Sequence, residues 1–246
     1  MEKDKLTNEQ DRLNNIAQDS IYAAGMGEIT IKYSGKIFER FMVTGSVLEL
    51  GPAEGVMTEC LWEQWKKDYT VVDGSEMFIA ALKQKYEDIN AQVSLFEEYK
   101  PERKFKNIIL GHVLEHVIDP VEILKLCSQW LEEDGVILAA VPNKDSLHRQ
   151  AAVIMGLLSS VTSFSEKDYR HGHRRVFGYD SFYQAFIDAG LNVKCRGGYW
   201  LKPLADYQIE QSWSRELIDA YMQLGEKYPT IAGELYIVAD NKKILE

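Results

Sequence analysis

The chain has only three cysteines among 246 residues, Cys60, Cys127 and Cys195. They are far apart and form no CxxC pair, which excludes a disulfide framework and a zinc knuckle and fits a reducing compartment. Long apolar runs are also missing. The longest nearly apolar stretch, 151–161, is too short to span a bilayer. The first residues, MEKDKLTNEQDRL, lack the apolar core of a signal peptide. These absences predict a cytoplasmic protein with no membrane partner. Basic charge is scarce: 28 Lys and Arg stand against 38 Asp and Glu, for a net charge of −10. A nucleic-acid partner is not expected from that balance. No internal repeat or low-complexity linker interrupts the chain, so it reads as one domain, 1–246.

What the chain does contain is an alternation of element types. From 8 to 42 the apolar positions Leu13, Ile16, Ile21, Ile37 and Phe41 recur at helical spacing, with turn residues near 25–27. Apolar runs at 46–50, 69–72, 92–96, 105–110 and 136–141 read as strands. Helical patterns at 59–67, 75–86 and 121–131 separate them. Short turns between the two kinds of element predict parallel βαβ units in a doubly wound α/β sheet. After Pro142 the rhythm breaks. The segment 144–173 carries no strand, 180–189 returns to helix, and 191–196 and 233–239 supply a sixth and a seventh strand. An aromatic, helix-forming tract at 199–228 lies between those two. The expected organisation is therefore a helical cap at 1–42, a core at 43–143, a lid at 144–173 and a C-terminal part of the sheet at 174–246. Ligands of such sheets bind at the carboxyl ends of the strands, so both insertions become candidates for a lid over the substrate.

The first strand runs into Gly51-Pro52-Ala53-Glu54-Gly55, where glycines let the backbone turn sharply and approach a ligand. The spacing is not GxGxxG, because Ala53 stands where a middle glycine would, and nothing suits a pyrophosphate cradle. Asp73 ends the second strand about 20 residues further on, where a carboxylate can accept from both hydroxyls of a ribose. The pair predicts an adenosine-containing ligand without a diphosphate.

VLELGPAEG, VVDGSEMF, ILGHVLEHVIDPVEIL and GVILAAVPN together resemble the class I S-adenosylmethionine-dependent methyltransferases. VLEHVIDP is especially similar to those that act on small molecules, and peptide carboxyl O-methyltransferases are one branch the chain resembles. The resemblance implies a Rossmann-like, seven-stranded, mostly parallel sheet with helices on both faces and helical lid insertions. It also implies S-adenosylmethionine as cofactor and S-adenosylhomocysteine as product. Glu49 would orient the glycine loop and the cofactor's amino group, and Gly51, Ala53 and Gly55 would line its methionine part. Asp73 would hold the ribose, with Gly74, Ser75 and Met77 beside the adenosine. Leu95, Phe96 and Glu97 would meet the adenine. His112 would sit beside the methionine portion, and Tyr33 would close over the carboxylate.

Other signals concern the acceptor. Arg170, His171, His173, Arg174 and Arg175 form a basic knot that, with Tyr169, could receive an anionic acceptor, since arginine forks bind carboxylates. Tyr199 and Trp200 are candidates for an apolar acceptor pocket, although large aromatics also supply buried area. A carboxylate acceptor needs only positioning. A phenol or an ammonium must lose a proton, which makes His112, His171 and His173 candidate catalytic bases. The knot favours an oxygen acceptor on a small molecule or a peptide. His112-Val113-Leu114-Glu115-His116 also matches the H-x-x-E-H of zinc peptidases. No downstream helix offers an evident third ligand, so no metal is expected, and Glu115 and His116 read as structural, at a helix start and beneath the sheet edge. A non-catalytic cofactor-binding regulator and an NAD-dependent oxidoreductase are the remaining rivals.

Overall fold

A computed structural model describes residues 2–18 and 23–242, with side chains from residue 9 onward. Ile21, one of the apolar positions read as helical, lies outside the described residues. Seven strands form one sheet: β1 (Val47–Leu50), β2 (Tyr69–Asp73), β3 (Asn90–Val93), β4 (Phe105–Gly111), β5 (Leu131–Pro142), β6 (Asn192–Tyr199) and β7 (Glu234–Asp240). Their order is β3-β2-β1-β4-β5-β7-β6. The first five run parallel, and β7 is antiparallel to both β5 and β6. This is the Rossmann-like, mostly parallel sheet expected from the alternating pattern.

The helices are α1 (Glu2–Gln18), α2 (Gly25–Glu39), α3 (Val56–Trp65), α4 (Glu76–Lys85), α5 (Pro120–Trp130), α6 (Leu147–Ile154), α7 (Glu166–Arg170), α8 (Tyr179–Asp188), α9 (Asp206–Glu210) and α10 (Arg215–Lys227). Successive strand residues point to opposite faces, so the sheet has two cores. On one face Leu48, Ile108 and Ile137 pack with Leu124 of α5 and Phe186 of α8. On the other Val47, Ile109 and Leu138 pack with Ile37 of α2, Leu61 of α3, Leu82 of α4 and Met222 of α10. No helix among the described residues is long and apolar enough to cross a membrane.

Two sequence expectations change here. The chain after β4 is not helical through the H-x-x-E-H stretch. It turns until Asp119, whose carboxylate accepts from Val121 N at 2.9 Å and Glu122 N at 3.1 Å and so starts α5. Pro120 at the first helical position fixes that boundary. The apolar stretch 151–161, whose apolar character suits packing of the lid onto the sheet or an acceptor pocket, leaves Ile154, Met155 and Leu157 exposed.

Candidate active site

The strand order reverses direction at β1, with β2 on one side and β4 on the other. At the carboxyl ends of these strands lies an open cleft of about 1100 Å³, counting the space it shares with solvent. This is where a doubly wound sheet places its ligand.

The β1 end turns away through Gly51, whose φ of 63° lies in the left-handed region. A Cβ there would stand 2.9 Å from Val113 Cγ2, so only glycine fits. Gly51 N donates to Val72 O at 2.8 Å, which ties the loop to β2. Ala53 also adopts positive φ, 46°. An L-residue is held there at a cost of about 1–2 kcal/mol, and strained backbone of this kind concentrates at ligand sites.

Two acidic side chains face the cleft from the strand ends. Asp73 is buried; its Oδ1 accepts from Ser75 N at 2.8 Å and its Oδ2 lies 3.4 Å from Ala53 N. Burial pushes its carboxyl up to about 6, against the pull of those backbone donors. Glu49 accepts from Thr58 Oγ1 and from Tyr69 Oη, each at 2.7 Å and both on Oε2. Burial pushes its carboxyl up to about 7, with those two bonds opposing. A basic or hydroxylic ligand group would be welcome beside either.

Glu49, Gly51, Ala53, Asp73, Gly74, Ser75, Leu95, Phe96, Glu97 and His112 all line the cleft. Gly55 does not line it; with φ 79° it starts α3. Met77 is exposed outside it, and the neighbouring Phe78 lines it instead. Tyr33 is also elsewhere. Its hydroxyl donates to Glu226 Oε1 at 2.5 Å, and its ring stacks on Tyr199 at 5.6 Å. That geometry is the interior of the α2–α10 packing, so Tyr33 cannot close over a ligand in this cleft.

His112 ends β4 with φ 59°, and its N–H donates to Ala140 O at 2.9 Å. The ring is nearly enclosed. Its Nε2 lies 3.2 Å from Tyr199 Oη, and its Nδ1 stands 3.6 Å from Glu115 and 3.8 Å from Glu234. Burial disfavours its protonation, but Glu115 and Glu234 outweigh it and raise the ring above the usual imidazole range.

The basic knot splits up. His171 lines the cleft, and burial, followed by Lys167, drops its ring to about 4. His173 does not line it and sits 3.0 Å from Asp168. Tyr169 is exposed outside the cleft, and Arg170 is exposed and does not line it. Arg174 donates to His116 O at 2.9 Å and pairs with Glu9 at 2.6 Å. Arg175 donates to the carbonyls of Leu114 at 2.9 Å, Val117 and Ile118 at 2.7 Å. These two guanidiniums are clamps on the 112–118 turn rather than forks for a substrate, because carbonyls that no helix satisfies, such as those of buried Leu114 and Val117, need donors. Tyr199 and Trp200 are core residues, 0 % and 1 % exposed, which removes them as pocket walls.

Arg175→Ala is therefore expected to act on stability. Losing a charged donor shared by three carbonyls should cost about 2 kcal/mol, or roughly 4–8 °C in a chain of this size. Thermal unfolding checks it; an unchanged melting point with a raised acceptor KM would return Arg175 to the substrate.

The sequence reading placed a helical cap at 1–42 but named none of the α1 residues as a wall of the cleft. Helix α1 lies across the cleft with Glu9, Arg12, Leu13 and Ile16 lining it. Gln10 Nε2 donates to Gly74 O at 3.1 Å, Asn14 Oδ1 accepts from Ser75 Oγ at 3.1 Å, and Arg12 Nη1 donates to Gly172 O at 3.2 Å. The cover next to Asp73 is thus the N-terminal helix, while the 144–173 segment contributes His171 to the lining. The only sequence signal was the helical spacing of Leu13 and Ile16. His116 was missed as well. It lines the cleft instead of packing beneath the sheet edge, and burial drops its ring to about 4 against the pull of Glu115.

The model of the methyltransferase domain family matches residues 29–196, and the chain belongs to that family. Its fold is that of the S-adenosylmethionine-dependent methyltransferases. One such enzyme from Thermotoga maritima is 14% identical with a TM-score of 0.62, covering 96% of each chain. The plantazolicin methyltransferase, solved with S-adenosylhomocysteine, is 16% identical with a TM-score of 0.54, covering 98% of this chain and 91% of that one. In sequence, a ubiquinone biosynthesis O-methyltransferase from Parvibaculum lavamentivorans is 30% identical over 123 residues. That match covers 50% of this chain and 46% of the relative, so the chain matches about half the length of this curated protein.

Proposed function

We propose that the cleft binds S-adenosylmethionine and that the chain transfers its methyl group to an oxygen atom of a small molecule or peptide. The observation that carries the cofactor is the meeting of Asp73 with the Gly51 loop in one cleft. Asp73 would accept from the ribose hydroxyls. Glu49, with both protein bonds on Oε2, keeps Oε1 for the ammonium of the methionine part. Leu95 and Phe96 supply an apolar face for the adenine. The Gly51 loop lacks the GxGxxG spacing that cradles a diphosphate, which weighs against NAD.

An oxygen acceptor is favoured by the imidazole of His112 at the strand end and by the partial match to an O-methyltransferase. The carboxylate form of that reading loses its support, because Arg174 and Arg175 are committed to backbone carbonyls and Glu9. A hydroxyl acceptor remains. Transfer is an in-line displacement on the sulfonium, so the chain must align the acceptor and exclude water. Helix α1 covers the cleft and serves the second need. Calorimetry with S-adenosylhomocysteine and with NAD tests the cofactor. Binding of NAD alone would reverse the reading.

The raised carboxyls give a second test. Unfolded Asp and Glu titrate near about 3.9 and 4.3, whereas folded Asp73 and Glu49 stand at about 6 and about 7. Between those values the folded state holds protons the unfolded chain has released. Their contribution to stability is therefore complete below about pH 4 and is lost as the pH rises through about 6 to 7. A ligand that donates to both carboxylates favours the ionised forms. S-adenosylhomocysteine is thus expected to raise the melting temperature more at about pH 7.5 than at about pH 5. Equal shifts at both values would remove the two carboxylates as its acceptors.

A further inference from the structure

Beside the cofactor cleft lies a group that methyl transfer as described does not use. Glu115, His116 and His173 each offer one ligand atom, and these atoms lie within 4.8 Å of one another. Glu115 is 1 % exposed, and neither of its carboxylate oxygens accepts a hydrogen bond. The nearest ring nitrogens stand off, His112 Nδ1 at 3.6 Å and His116 Nε2 at 3.9 Å. His112 offers it a countercharge from 3.6 Å, but with no donor within hydrogen-bond distance the buried carboxylate keeps unmet acceptor capacity, which is costly in general. Something between these groups would relieve it.

The scaffold around the three is fixed from both sides. Arg174 N donates to Glu115 O at 2.9 Å, and Arg174 Nε donates to His116 O at 2.9 Å. His173 N donates to Asp168 O at 2.9 Å. The 112–118 turn and the 171–175 segment are thereby locked together, and the rings of His116 and His173 meet edge to face at 4.7 Å. Behind His173, Asp168 Oδ1 lies 3.0 Å from Nδ1, which leaves Nε2 for a ligand. Asp168 is itself held by Arg149 at 3.0 Å and by Ser165 N at 2.7 Å. A carboxylate behind an imidazole, itself anchored, is the usual outer support of a ligating histidine.

We propose that Glu115, His116 and His173 form a divalent-cation site at the wall of the cleft, with Asp168 orienting His173. Two imidazoles and one carboxylate suit a borderline cation such as Zn²⁺ or Mn²⁺ better than Mg²⁺ or Ca²⁺, which prefer all-oxygen sets. Bond lengths of about 2.0–2.2 Å require the three atoms to close by roughly half an ångström. Three protein ligands leave a position open, as catalytic sites do. His116 lines the cleft, so that position is accessible to an acceptor. Resting on the methyl-transfer reading, the cation would bind the acceptor hydroxyl oxygen and ease loss of its proton to solvent. That oxygen then forms the new O–C bond while the S–C bond breaks and its pair stays on sulfur, as a Lewis acid permits. The third ligand is why the H-x-x-E-H stretch is unreadable as a metal site in sequence: it comes from the basic knot, and His112 of the motif is not among the three.

The test is titration of chelator-treated protein with Zn²⁺, Mn²⁺ and Co²⁺, followed by calorimetry and, for Co²⁺, by its visible absorption. The expected result is one cation per chain. Glu115→Gln and His173→Ala should each weaken binding by 100-fold or more, and Asp168→Asn by about 10–100-fold. Binding of S-adenosylhomocysteine, measured on the same samples, should stay within about threefold, which shows that the variants are folded. Absence of stoichiometric binding by the wild-type chain, or binding that survives Glu115→Gln and His173→Ala, overturns the site. Loss of S-adenosylhomocysteine binding by the wild-type chain would instead overturn the cofactor reading, and cation binding reports on the site separately.

Discussion

Asp73→Ala is expected to weaken S-adenosylhomocysteine binding by about 10²-fold or more while leaving the chain folded. The carboxylate is placed to accept from two ribose hydroxyls, and hydrogen bonds to a charged group contribute about 1.5–3 kcal/mol each. Two of them at the lower figure correspond to about two decades in affinity. A further loss is indirect. Asp73 Oδ1 accepts from Ser75 N at 2.8 Å, and Oδ2 is the acceptor nearest Ala53 N. Without it the β1 loop and the β2 turn lose their common anchor. Asp73→Asn separates the two effects: its carbonyl oxygen keeps one acceptor without the charge, so its affinity should fall between wild type and the alanine variant. Calorimetry measures all three, with circular dichroism to check the fold. Wild-type affinity in the alanine variant would reduce Asp73 to a turn residue and displace the cofactor from this cleft.

The same residue shows why part of the site could be read from sequence. Asp73 and Gly51 are joined by one βα unit, so their separation along the chain fixes their proximity in space. The strands were legible for a similar reason: β1, β2 and β4 are nearly buried throughout and appear as mostly apolar runs, interrupted by Glu49, by Thr70 and Asp73, and by Lys106 and Asn107. Register and length were less so. β5 begins at Leu131, ahead of the 136–141 run that reads as the strand, with an irregularity against β4 between Phe105 and Asn107.

Contacts made across the whole chain left no local trace. Helix α1 meets the Asp73-Gly74-Ser75 turn through Gln10 and Asn14, some 60 positions away in sequence. Its amphipathic spacing says that it packs, and nothing in it says against what. The basic knot failed in the opposite direction. Five donors in a short stretch read as a mouth for an anion, but the 112–118 turn carries carbonyls that no helix satisfies, and Arg174 and Arg175 serve them. Charge in a sequence gives the donor and leaves its acceptor open. Tyr199 and Trp200 were open to two readings because aromatic area suits a pocket or a core equally, and burial decides for the core.

His112→Ala is expected to lower kcat toward a hydroxyl acceptor by roughly 10²–10⁴-fold, the range a positioned base contributes. His112 is the imidazole that the β4 end carries into the cleft, beside the Gly51 loop where the methionine part would lie. Its backbone is held at φ 59°. Such strain persists only where the surroundings enforce it, and here Ala140 O, Tyr199 Oη and Glu115 surround the residue. The ring is thus aimed before any ligand arrives, which is what proximity effects require. Binding of S-adenosylhomocysteine should change far less than kcat, because in the proposed reading Asp73 and Glu49 would hold the cofactor from the other strand ends. His112→Gln distinguishes proton transfer from positioning. Its amide can still meet Tyr199 Oη but cannot take a proton, so it should be about as slow as the alanine variant. Tyr199→Phe, which removes the partner at 3.2 Å from Nε2, should lie between these and wild type if it fixes the ring's orientation. Steady-state kcat and KM for all three, with radiolabelled methyl donor and a panel of phenols and alcohols, give the comparison. Full activity in His112→Gln would make His112 a spacer that orients the acceptor, and the proton would then leave by another route, through His116 or His171 of the cleft lining or directly to solvent.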